Sequence, residues 1–425
     1  MKSVEFDRIL EVALKRTDHR FPILSKFREQ ANPRHYLRQD APGITAHTMF
    51  LMDVTISDHI VRLIESNGSN GALSSTSLAG DWARVEHMVC AFESKARPPG
   101  QVVVTLCHQE GFLHLPEFFS RAQMFAEEIS KRHKVELRDV SHDLGKEDVT
   151  VVCGSTAAVA KELSCRDMQL YFKGRPVIFA CNANLLPEGV RRGTIGCDGG
   201  IPEIDLTIFH EGHSTPIVHD KAIQQEIARG TGIEPLASRL VNDRQGWLAA
   251  VQWFQGKGMP CVAKMHAGSG GAGIEIITPE MNADQCENVL EQLLASARNA
   301  YGPKVEETAF PIALFEFAIA DPIHHAGRPH LWDLRIAAYV SPNSVTCHAC
   351  VGRLCPAPFD DSWARDTWVN NLSGRDGNQA ERFLRAPSEL GLSNEDIHRM
   401  LEASAKWASA AARFGEHATN QPVQQ

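Results

Sequence analysis

No stretch of this 425-residue chain approaches the roughly eighteen apolar residues of a membrane span, so no transmembrane helix is expected. The first residues, MKSVEFDRILEVALKR, are charged and amphipathic and lack the apolar core of a secretory signal. Positive charge is not in excess. The 43 Lys and Arg stand against 52 Asp and Glu, for a net charge of −9 and a pI near 6.1. That balance argues against a general nucleic-acid binder or an anionic-membrane binder, and leaves room for a local basic pocket. A disulfide framework is missing too. Eleven cysteines, an odd number spread through the chain, read as reduced thiols of a cytoplasmic protein. Cys347-His348-Ala349-Cys350 with Cys355 has no matching second pair for a zinc site, and its alternating surroundings, SVTCHACVGRL, predict a strand with core thiols.

Several signatures of nucleotide and protease chemistry are absent as well. There is no Gly-Lys-Ser/Thr phosphate loop and no kinase HRD sequence. His210-Glu211-Gly212-His213 spaces its histidines three apart, where a zinc-protease helix needs four, and its glycine disfavours that helix.

What is present is a glycine-rich stretch, CVAKMHAGSGGAGI, at 261–274. A short apolar run carries Lys264. A small-residue loop with Gly268, Ser269, Gly270, Gly271 and Gly273 follows, then the β-rich IEII. Glycine lets backbone N–H groups approach an anion closely, and the lysine adds a fixed charge. The loop formally contains G-x-G-x-x-G, but a dinucleotide site needs a helix directly after it, and here a strand follows.

Length predicts about two or three packed units. Residues 1–40 are expected to be mostly helical from the spacing of Phe6, Ile9, Leu10, Ala13 and Leu14. A hairpin is expected next, with strands at 48–55 and 60–64 and a turn at Ser57-Asp58. It places Asp53 inside an apolar strand, and Glu65 and Asn67 two apart on one face. Three such oxygen ligands suit Mg²⁺, while a solvated hairpin tip is the plainer reading of the same residues.

Residues 82–98 read as helical, and Pro98-Pro99-Gly100 as a boundary. Strands at 102–106, 135–140, 148–152 and 176–181, a helix at 117–132 and another helix before 176 predict an α/β layer with a mainly parallel sheet over 100–215. Ligands of such sheets collect beyond the strand C-termini, near His108, Gln109, Glu110, Asn182 and Asn184. Lys221 opens a helix at 222–229, against the usual preference at a helix N-terminus, which is a suitable place for an anion. Helices are expected at 247–256, 281–298 and 393–414. Strands are expected at 311–319, 331–340 and 345–354, and a disordered tail at 417–425.

The order Asp220-Lys221, Lys264 with its glycine loop, Phe315-Glu316-Phe317, Asp333-x-Arg335, Arg353 and Asn371-Leu-Ser-Gly resembles the ATP-grasp superfamily, especially its glutathione-synthetase-like members. The family pattern continues with a strand hairpin bearing Asp and then Glu-x-Asn. Here that piece resembles MDVTISDHIVRLIESN, early in the chain, as in a circular permutation. The Asp53-to-Glu65 spacing is longer than the usual hairpin.

The resemblance implies an α/β fold with an α+β lid, an ATP-grasp core in permuted order, and a parallel α/β substrate domain. The divisions would be 1–98 for the permuted core with the metal hairpin, 99–215 for the substrate domain, 216–415 for lid and core, and 416–425 for the tail. It implies an ATP-dependent carboxylate–amine ligase acting on an amino acid or small peptide. Lys221, Lys264, Gly268, Ser269, Gly270, Gly271, Gly273 and Glu316 would bind ATP. Asp53, Glu65 and Asn67 would hold Mg²⁺, with Mn²⁺ as a substitute, and Arg335, Arg353 and Asn371 would be catalytic. Partners would be a small-molecule carboxylate and amine, with no nucleic acid or membrane, and a homodimer is left open. A phosphotransferase on the same fold and a non-catalytic nucleotide-binding protein are the alternatives.

Overall fold

A computed structural model describes residues 36–45, 48–67, 85, 88–89, 92–93, 100–108, 115–166, 169–181, 207–209, 217, 220–265, 273–301, 309–360, 363–369 and 383–420. The loop residues Gly268, Ser269, Gly270 and Gly271, together with Asn371, His210, His213, Gln109, Glu110, Asn182 and Asn184, lie outside these residues.

Residues 36–40 form a strand, β1 (Tyr36–Asp40), where apolar spacing predicted helix. Its ladder partner lies about three hundred residues away in sequence (Asp40 opposite Ser344), and such pairing overrides local propensity. β2 (Thr48–Ser57) and β3 (Ile60–Asn67) form the expected hairpin. Its turn residues are Asp58 and His59, at φ 50° and 63°, one position later than expected. Two positive φ values match the twist of a two-residue hairpin turn. The few described residues of 82–98 (Val85, Met88, Val89, Phe92 and Glu93) are helical, as predicted.

The expected parallel layer follows. It comprises β4 (Val102–His108), α1 (Leu115–Ser130), β5 (Val135–Asp139), β6 (Val149–Ser155), α2 (Thr156–Lys161), β7 (Leu163–Arg166), β8 (Gln169–Phe172), β9 (Arg175–Cys181) and β10 (Thr207–Phe209). The strand order is β5-β6-β4-β9, all parallel, with β10 parallel on β9. The 156–175 segment holds a short helix and an antiparallel hairpin, β7–β8, rather than a helix alone. Alternate residues of β4 serve opposite faces. Val102 and Val104 pack with Phe125 and Ile129 of α1, while Val103 packs with Val159 of α2.

α3 (Lys221–Ala228) follows and packs against β3. A second, antiparallel unit comprises β11 (Ser238–Val241), α4 (Gln245–Gln255), β12 (Cys261–Met265), β13 (Ile274–Ile277), α5 (Ala283–Tyr301) and β14 (Ile312–Glu316). Its sheet runs β11-β14-β12-β13, and Trp247, Phe254, Leu290 and Leu293 form its core.

Next come a separate two-stranded hairpin, β15 (Ile323–His325) and β16 (Arg328–His330), then β17 (Trp332–Ser341), β18 (Ser344–Leu354), α6 (Arg365–Trp368), β19 (Leu384–Arg385) and α7 (Asn394–Asn420), of which β17, β18 and β19 join β1, β2 and β3 in the main sheet. That sheet has the order β1-β18-β17-β2-β3, so the early hairpin sits beside strands from the last quarter of the chain. The predicted apolar stripe of α7 (Ile397, Met400, Leu401, Trp407, Ala411) covers one face of it. The helix runs on to Asn420, so 417–420, expected as disordered, continues the preceding turns. Among the described residues no helix is long and apolar enough to cross a membrane.

Candidate functional site

Strand alternation separates the main sheet into an apolar and a charged face. On β17, Leu334, Ile336 and Ala338 pack toward α7, as do Phe50, Met52 and Val54 on β2. Asp333, Arg335 and Asp53 occupy the alternate positions, in step with Ala337, Tyr339, Met49 and Leu51 of the other core. The strand register lines them up. Arg353 is opposite Asp333, Arg335 is opposite Asp53, and Asp53 is opposite Glu65. Charged side chains from β18, β17, β2 and β3 thus form two adjacent rows on one face, Arg335–Asp53–Glu65 and Asp333–Arg353. The ladder is irregular beside the Arg335–Asp53–Glu65 row, between Arg335 and Ile336 and between Asp53 and Val54. Such bulges re-aim side chains.

The two rows make a buried ion network. Arg335 Nε and Nη2 donate to the two oxygens of Asp53 at 2.7 and 2.8 Å. Arg353 pairs in the same bidentate way with Asp333, at 2.7 and 2.5 Å, and its Nη2 also reaches Asp53 Oδ2 at 2.8 Å. All four are under a tenth exposed. Burial pushes the Asp333 carboxyl up, against the pull of Arg353. Burial alone would lower the Arg353 guanidinium, but Asp333 and Asp53 raise it further above its ordinary value.

The network continues into Glu65. Lys221 Nζ lies 3.5 Å from its Oε2, and the Asn67 side-chain amide donates to its Oε1 at 3.2 Å. Lys264 donates to the Ile64 carbonyl at 3.1 Å. Ile64 is the extra residue of the β3 bulge, since Asp53 pairs with Glu65 and Val54 with Leu63. The Lys264 ammonium caps the carbonyl of that extra residue. Burial opposes the Glu65 charge, yet Lys221 and Lys264 hold its carboxyl well below the usual range. Burial in turn lowers the Lys264 ammonium, with Glu65 opposing. Lys221, Lys264, Arg335 and Arg353 outnumber Asp53, Asp333 and Glu65 by one, so the cluster favours an added anion.

The predicted site residues therefore divide. Asp53, Glu65, Asn67, Lys221, Lys264, Arg335 and Arg353 come together. Glu316 ends β14 on the second sheet, where its Oε2 accepts from the Ala237 backbone at 3.3 Å. Phe317 beside it packs edge-on against Trp363 and Trp368. Gly273 closes the glycine stretch at φ 67°, and a Cβ there would meet Met265 Sδ at 3.0 Å, so both the backbone and the space favour glycine. The cysteines of 347–355 are buried free thiols, as expected, and burial pushes Cys347 and Cys355 up.

Residues that sequence reasoning missed hold this cluster in place. Gln224, one turn after Lys221 on α3, accepts from Ser66 N at 2.9 Å and donates to Ser66 O at 2.8 Å. Gln225 donates to Leu63 O at 3.0 Å and accepts from Leu236 N at 2.9 Å. Arg365 on α6 donates to Ile274 O at 2.7 Å and to Glu275 at 3.3 Å, so it ties α6 to the strand after the glycine stretch. The only signal for the glutamines was their i+3 and i+4 spacing from Lys221 on one helix.

The donor chemistry can be matched to groups. Glu65 and Asn67 offer hard oxygen atoms, and a carboxylate held ionised and 26% exposed fits Mg²⁺ or Mn²⁺, which keep waters and take phosphate oxygens. Among the described residues no group of three His, Cys, Asp or Glu could hold a metal. Two protein ligands beside two lysines fit a cation that arrives with a polyphosphate.

No family model matches the chain. No curated protein matches it either. Among solved structures, a protein from Methylobacillus flagellatus KT, provisionally described as a gamma-glutamylcysteine synthetase, aligns over 97% of this chain and 96% of its own at 12% identity, with a TM-score of 0.46. A glutathione synthetase-like effector from Globodera pallida aligns over 85% and 87% at 12% identity, with a TM-score of 0.43. A biotin carboxylase from Campylobacter jejuni covers 68% and 72% at 9% identity, with a TM-score of 0.30. Similarities of this size leave the reading of the site to its own geometry.

Proposed function

We propose that this chain is an ATP-dependent carboxylate–amine ligase with a permuted ATP-grasp fold. One observation carries the reading. The Glu65-x-Asn67 strand stands in one sheet with Arg335 and Arg353, and Lys221 and Lys264 meet it from α3 and β12. That arrangement supports a polyphosphate and a divalent cation beside two anchored guanidinium groups.

In this reading a substrate carboxylate oxygen attacks the γ-phosphorus of ATP, and the bond to ADP breaks. The amine nitrogen then attacks the acyl carbon, phosphate leaves with the C–O electron pair, and the nitrogen gives up its proton to form the amide. The cation, when bound by Glu65 and Asn67, supplies neutralisation of phosphate charge. Lys221 and Lys264 hold the phosphates. Arg335 and Arg353, fixed by Asp53 and Asp333, orient the carboxylate and stabilise the charge that develops on its oxygens. We assign the 268–273 loop as a lid that excludes water, Glu316 to the adenosine end, and Asn371 to the same oxygens as the arginines. The 100–215 layer would select the amino acid or small peptide.

Phosphate release screened over pairs of carboxylates and amines, with mass spectrometry of the product, tests this reading. ADP formation that requires both partners and yields an amide supports it. ATP binding without turnover across the pairs, or ADP formation indifferent to the amine, overturns it.

A further inference from the structure

The feature with most structural investment and no part in the chemistry above is Gln224. We infer that Gln224 is a positioning residue that fixes the geometry of Glu65 and Asn67, an inference resting on the reading of that pair as the holders of a divalent cation.

Among the described residues β3 is the last strand of its sheet, and no strand pairs with its outer edge. Unpaired buried backbone groups are costly, and each needs a partner. Along β3 the partners are Glu234 N for Val61 O, Gln225 for Leu63 O, Lys264 for Ile64 O and Gln224 for Ser66. The Ser66 case differs from the rest. The Gln224 amide gives and takes one bond each with the N–H and C=O of a single residue, as a neighbouring strand would. Ser66 separates Glu65 from Asn67. Holding its N–H and C=O fixes the two peptide planes that join the pair, and hence the directions of both side chains.

Gln224 is itself immobilised. It is 1% exposed, its Nε2 also donates to Ile217 O at 3.1 Å, and its backbone carbonyl accepts from Trp407 Nε1 at 3.0 Å. Supports of this kind behind metal ligands are worth roughly 10–100-fold in affinity when lost. By contrast, the buried hydroxyl of Ser66 has no partner among the described residues, so the clamp acts on its backbone and not on its side chain.

The test uses the full chain and Mn²⁺ with ADP, followed by the electron paramagnetic resonance signal of free Mn²⁺. Amide hydrogen exchange at 64–67 is measured without either. Gln224→Met keeps the shape and removes the clamp, Gln225→Met is the comparator at the same depth on the same helix, and Glu65→Gln calibrates the site. The inference expects Gln224→Met to speed exchange at Ser66 and to weaken Mn²⁺ at least tenfold, with Gln225→Met weakening it by less than threefold at similar loss of thermal stability. If Gln224→Met does not fold, Gln224→Asn, which keeps a neutral amide but shortens its reach to Ser66, takes its place. Equal effects of the two glutamine variants reduce Gln224 to an ordinary structural residue and overturn the inference. Unchanged exchange and affinity in the Gln224 variant, with binding abolished by Glu65→Gln, overturn the inference and leave the cation site standing. Binding indifferent to Glu65→Gln removes the site reading, and the inference falls with it.

Discussion

Asp53 and Arg335 face each other in register across β2 and β17, joined by two hydrogen bonds although 282 positions separate them in the chain. Both oxygens of Asp53 are spent on guanidinium groups, since Arg353 takes a share of the second. Removing one partner of a buried pair leaves the other charge uncompensated, at about 3–5 kcal/mol. Asp53→Asn is therefore expected to lower unfolding stability by that order, read by denaturant titration, while Mn²⁺–ADP affinity stays within about threefold of wild type. A loss as large as that of Glu65→Gln would instead make Asp53 a cation ligand.

Glu65 gives stability a defined pH dependence. Its folded value lies below its ordinary 4.5, so the contribution is full above that value and is lost as pH falls toward the folded one. Wild-type stability should decline steeply as pH drops from about 5 to about 3. Glu65→Gln should start lower at neutral pH and show a shallower acid limb, measured by urea unfolding across that range. Parallel limbs would disprove the linkage.

Lys264 predicts proton uptake on nucleotide binding. Burial lowers its ammonium in the free protein, and phosphate oxygens beside it would raise it again. Calorimetric titration of ADP and Mg²⁺ at about pH 9, in two buffers of different ionisation enthalpy, should report net uptake that Lys264→Met removes. Uptake that persists in the variant would assign the proton elsewhere.

Arg365 fastens α6 to the start of β13, directly after Gly273. The pair is partly exposed, so Arg365→Ala should cost less than about 1 kcal/mol of stability. Its effect should appear as faster hydrogen exchange at 273–277 and a several-fold higher KM for ATP, with kcat changed less. A stability loss without either change would confine Arg365 to a structural tie.

Much of this was legible in the chain. Short continuous apolar runs located the long strands, because β2, β17 and strands of the parallel layer such as β6 are buried on both faces. The Glu65 and Asn67 pair was legible because a two-residue spacing on a strand shares a face whatever its partner. β1 was not, since its pairing with β18 is set by contacts remote in sequence. The β7–β8 hairpin was missed because short strands at 163–172 look like a helix tail. Gln224 was illegible for a different reason. An amide standing in for a neighbouring strand has no periodicity of its own, and only the edge it caps gives it meaning.

The interleaved main sheet also sets a timetable for biosynthesis. β2 is buried on both faces, yet one flanking strand, β17, lies some 280 residues later in the chain. At roughly 5–20 residues per second, the apolar segment TMFLMDVTIS waits on the order of 15–60 s after synthesis before that neighbour exists. Pairing so distant is slow to form and leaves a sticky strand exposed meanwhile. Recombinant yield should therefore respond to chaperone supply and to slowed translation more than to any surface substitution.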